Sequence, residues 1–132
     1  MVDALRRAHR IVTPEGCIVD LHPTATCAGV EVGARRTGRV EAGDAPRRHA
    51  AATAALARVV EEGLLAVESA MEFAFCTYGD SLDELATYIT ENWRNARIDE
   101  ETLTQTRQAL RADRREIPRV REQVRITMLR PR

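Results

Sequence analysis

The chain contains no lysine. All 20 cationic side chains are arginine, set against 20 Asp and Glu, so the formal net charge is zero. Arginine stays protonated at any working pH, which removes a lysine Schiff base and a lysine general base from consideration. Balanced charge argues against a nucleic-acid-binding or membrane-surface protein as the default. Cysteine is sparse: Cys17, Cys27 and Cys76 are odd in number and match no zinc or redox spacing. Buried, inert thiols in a reducing cytoplasmic setting are expected. No charged-then-apolar leader opens the sequence, and no apolar run approaches the ~20 residues of a membrane span. His9, His22 and His49 lack an i, i+4 metal spacing. Neither Ser69 nor Ser81 lies in a Gly-x-Ser-x-Gly turn. These absences leave an independent hydrolase or metalloenzyme with little support.

Aromatic residues are few, and they concentrate. Phe73, Phe75, Tyr78, Tyr88 and Trp93 all fall within Met71–Trp93. In its first half Met71, Phe73 and Phe75 alternate with Glu72, Ala74 and Cys76, the period of a strand with one demanding face. Ser81 and Glu84 then have capping-box spacing, and Leu82, Leu85, Ile89 and Trp93 share a helical face. The stretch reads as a core strand feeding a core helix, with Phe73 and Trp93 buried. At 132 residues the chain is expected to form one domain.

The remaining elements follow from periodicity and turn chemistry. Residues 3–13 predict a helix with Asp3 near its N-cap, stopped by Pro14-Glu15-Gly16. Residues 17–23, CIVDLHP, predict a strand buried on both faces. Ligands meet strands of open α/β sheets at their carboxyl ends, so Asp20 and His22 are the first substrate-binding candidates. Their plainer roles are a turn cap or an Arg partner for Asp20 and a strand-end residue for His22. Residues 30–34 and 38–42 predict a hairpin around Arg35-Arg36-Thr37. Arg35 and Arg36, with Arg39, have the chemistry of an anion clamp or of a solvated loop. Residues 46–62 predict a helix with Gly63 as its C-cap and His49 exposed in its first turn. Residues 99–115 predict a mostly exposed helix, and 122–129 a closing strand.

The segment 4–23, ALRRAHRIVTPEGCIVDLHP, resembles the helix, loop and fifth strand of class I SAM-dependent methyltransferases, in which a helix ends in "hRvLkPGG". The match runs through Ala8-His9-Arg10-Ile11-Val12, Pro14, Gly16 and Ile18–Leu21, with Glu15 where that family usually has a glycine. The strand at 67–77 and the final strand at 121–129 look like the antiparallel sixth and seventh strands that close that sheet. The resemblance covers the later half of the fold only. No Gly-x-Gly occurs in these 132 residues, so no SAM-binding residue carries over and no cofactor site is expected.

The resulting expectation is an α/β fold, or α+β, with a small mixed sheet, antiparallel closing strands and about four helices. The function it implies is a methyltransferase-related partial domain without its own SAM site, non-catalytic alone or acting with a partner subunit. The alternative is a small α+β dimerisation or ligand-binding protein unrelated to methyl transfer. The strand at 17–22 would have the closing strand on one side and an unpaired edge on the other. A fold-back of the 30–42 hairpin, a second copy or a separate chain supplying the missing strands would cover that edge. A homodimer through this edge or the helix faces beside it is expected, with no membrane and no nucleic-acid partner.

Overall fold

The computed structural model describes residues 1–132. In chain order the elements are α1 (Val2–Ile11), β1 (Ile18–Pro23), β2 (Gly29–Val32), β3 (Arg35–Glu41), α2 (Ala45–Glu61), β4 (Leu65–Tyr78), α3 (Leu82–Asn92), β5 (Arg97–Ile98), α4 (Glu100–Ala112) and β6 (Pro118–Pro131). Four helices accompany a six-stranded antiparallel sheet ordered β1-β6-β2-β3-β5, with β4 also paired to β6. This is the α+β form of the expected architecture. No helix is long and apolar enough to cross a membrane. The chain divides into two compact units: Met1–Ala25, Arg47–Phe73 and Val124–Arg132 form the first, and Thr26–Pro46 and Ala74–Gln123 the second.

In the first unit β1 pairs antiparallel with the end of β6, in the register Ile18↔Leu129, Asp20↔Thr127, Leu21↔Ile126 and His22↔Arg125. Leu5 of α1, Val59 of α2, Leu65 of β4 and Leu129 of β6 form the core. Helix α1 stops at Ile11, because Val12 is already extended ahead of Pro14, and no side chain caps its start. Helix α2 ends in a Schellman motif. Leu64 N–H donates to Val59 O and Gly63 N–H to Val60 O. Gly63 supplies the left-handed φ of +74°, and Leu64 packs against the cluster that holds Val59. Strand β1 is not buried on both faces. Asp20 and His22 are covered, while Val19 and Leu21 are 53% and 58% exposed.

In the second unit β2 and β3 form the expected hairpin, but the turn falls at Gly33-Ala34 and Arg35 opens β3. Gly33 has a φ of +57°, the conformation a two-residue hairpin turn requires, and Arg35, Arg36 and Thr37 therefore lie in the strand rather than the loop. Strand β2 pairs with Pro118–Arg121 of β6, and β3 with the two-residue β5. Val30, Val40, Leu85, Ile89, Ile98 and Val120 form the core, with Trp93 half-buried against it. The capping box is present: Glu84 N–H donates to Ser81 Oγ (3.1 Å), and Asp80 N–H donates to Glu84 Oε2 (2.7 Å). Asp99 caps α4 by accepting from Thr102 N–H at 2.7 Å. A Cβ at Gly38 would lie 2.3 Å from Thr102 Oγ1, so only glycine lets β3 approach α4 this closely.

Strand β4 departs most from expectation. Met71, Phe73 and Phe75 are 62%, 36% and 51% exposed. Alternation reports a strand's period. It does not report whether another layer covers the apolar face, and β4 has β6 as its only strand partner. The stability of the fold should therefore rest on α3 rather than on the exposed middle of β4. Leu85→Ala, at a fully buried position, is expected to cost about 2–5 kcal/mol. Phe73→Ala should cost less than half as much. Urea denaturation of the two variants checks this, and equal losses would put Phe73 in the core.

Candidate functional site

Two residues apart on one strand means the same face, and the structure brings Asp20 and His22 together. Asp20 Oδ2 lies 2.6 Å from His22 Nδ1. The two side chains are only 13% and 10% exposed. Helix α2 covers them with His49 and Thr53, one helical turn apart and so on one side of the helix. Thr53 Oγ1 lies 3.1 Å from His22 Nε2 and donates its proton to His49 O at 3.3 Å. His49 Nδ1 donates to Thr24 O at 3.1 Å. A chain of contacts thus runs Asp20–His22–Thr53–His49–Thr24.

Carboxylate, imidazole and hydroxyl stand in the order of a nucleophilic triad, but the proton directions oppose that chemistry. A triad needs an unprotonated ring nitrogen to accept the hydroxyl proton. Here Thr53 donates that proton to the His49 carbonyl at 3.3 Å, while His22 Nδ1 faces the Asp20 carboxylate. The arrangement ties β1 to α2. Thr127 stands opposite Asp20 in the register, and its buried hydroxyl has no hydrogen-bond partner.

The other candidates do not join this cluster. Arg35 and Arg36 lie in the second unit, both exposed, and Arg36 Nε donates to Gly38 O at 3.2 Å. Their strand position separates their side chains onto alternate faces, which does not form a clamp. Nowhere do three or more His, Cys, Asp or Glu side chains converge to hold a metal. Cys17 and Cys27 are exposed rather than buried, and Cys76 is half-buried. His49 is half-buried, not exposed as expected. Thr53 was the residue sequence reasoning passed over. The signal was the His49–Thr53 spacing of four on a helix predicted to cover the sheet.

No protein-family model, curated protein or solved structure matches the chain.

Two outcomes follow from these electrostatics. Asp20→Asn and Thr53→Val act on opposite sides of His22, so their effects should not add. Each single change is expected to cost about 1–3 kcal/mol, and a double-mutant cycle should show coupling of at least ~0.5 kcal/mol. Strict additivity would mean the contacts are independent. Glu122, on β6, has its carboxyl pushed above the usual range by burial. The folded state then holds the proton more tightly than the unfolded one, so stability falls as pH rises from the unfolded carboxyl pKa through the folded one. Glu122→Gln should raise the urea midpoint at pH 7 and leave it nearly unchanged at about pH 4. An equal gain at both values would exclude titration as the cause.

Proposed function

We propose that this chain is a methyltransferase-related partial domain that lacks a SAM site of its own and works with strands supplied by a separate chain or by sequence outside these 132 residues. One observation carries the reading: the order of β1, β6 and β4. Strand β1 pairs antiparallel with β6, and β6 with β4, which is the order the resemblance implies for the fifth, seventh and sixth strands. Strand β1 has β6 as its only partner. Its other edge presents unpaired backbone donors and acceptors, a template for a further strand. The hairpin of β2 and β3 pairs with β6 and β5 and leaves that edge free.

Cofactor binding in such folds needs a backbone that approaches the ligand closely at a glycine-rich turn. With no Gly-x-Gly in the sequence, the substrate-side elements are what this chain contributes. Asp20 and His22 stand on the strand whose carboxyl end would face substrate, and their mutual bond holds that strand's polar face in one arrangement.

Calorimetric titration with SAM and S-adenosylhomocysteine tests the reading. The chain alone should give no saturable heat. Mixed with the product of a neighbouring reading frame that carries the glycine-rich half, it should bind SAM. Micromolar binding by the chain alone, or an assembled mixture that still does not bind, overturns the proposal.

A further inference from the structure

We draw no further inference here: the strongest candidate, the outer edge of strand β4, which has β6 as its only strand partner and is exposed at every position over residues 67–75, carries nothing because nothing in the structure shows what covers it.

Discussion

Strand β6 is the constraint on which the rest of the structure depends. It pairs with β1, β2 and β4, and it donates to the core of each unit. Pro118 and Val120 are fully buried near its start, and Thr127 and Leu129 near its end. The covered positions, Val124 among them, do not keep a single parity along the strand. A strand used in this way cannot show a single clean alternation in its sequence. It also cannot slip by one residue without exposing Val120 and Leu129 together.

The polar cluster depends on the register of this strand. Because Asp20 lies opposite Thr127 and His22 opposite Arg125, the polar residues of β1 share a face with the buried side of the unit. Burial of a carboxylate and an imidazole is tolerable only when each finds a partner. They find one another, and Thr53 completes the set from α2. These contacts hold the polar face of β1 against α2 in one arrangement.

Local chemistry was legible in the sequence wherever it depends on near neighbours. The Ser81–Glu84 spacing identified the start of α3, Leu82, Leu85 and Ile89 its buried face, and Gly63 the end of α2. Asp20 and His22 were legible as candidates, and they meet. Features set by distant partners were not legible. Val19, Leu21 and Phe73 have the side chains of a covered strand, and only the absence of a second layer leaves them in water. Thr53 became visible as a partner of His22 only once α2 was laid across β1. The two-residue β5 is too short to carry a period and exists because Val40 and Ile98 pair inside the second core.

The central claim is that β1 hangs on β6 by one edge and keeps the other open to a further strand. Amide hydrogen exchange of the isolated chain, resolved by residue, addresses this most directly. The account predicts slow exchange for the β6 amides that bond to neighbouring strands. Within Ile18–Pro23 it predicts alternation, with protection for amides that bond to β6 and rapid exchange for those that point away. Uniform protection along β1, equal to that of β6, would show that its outer edge is already paired and would contradict the account.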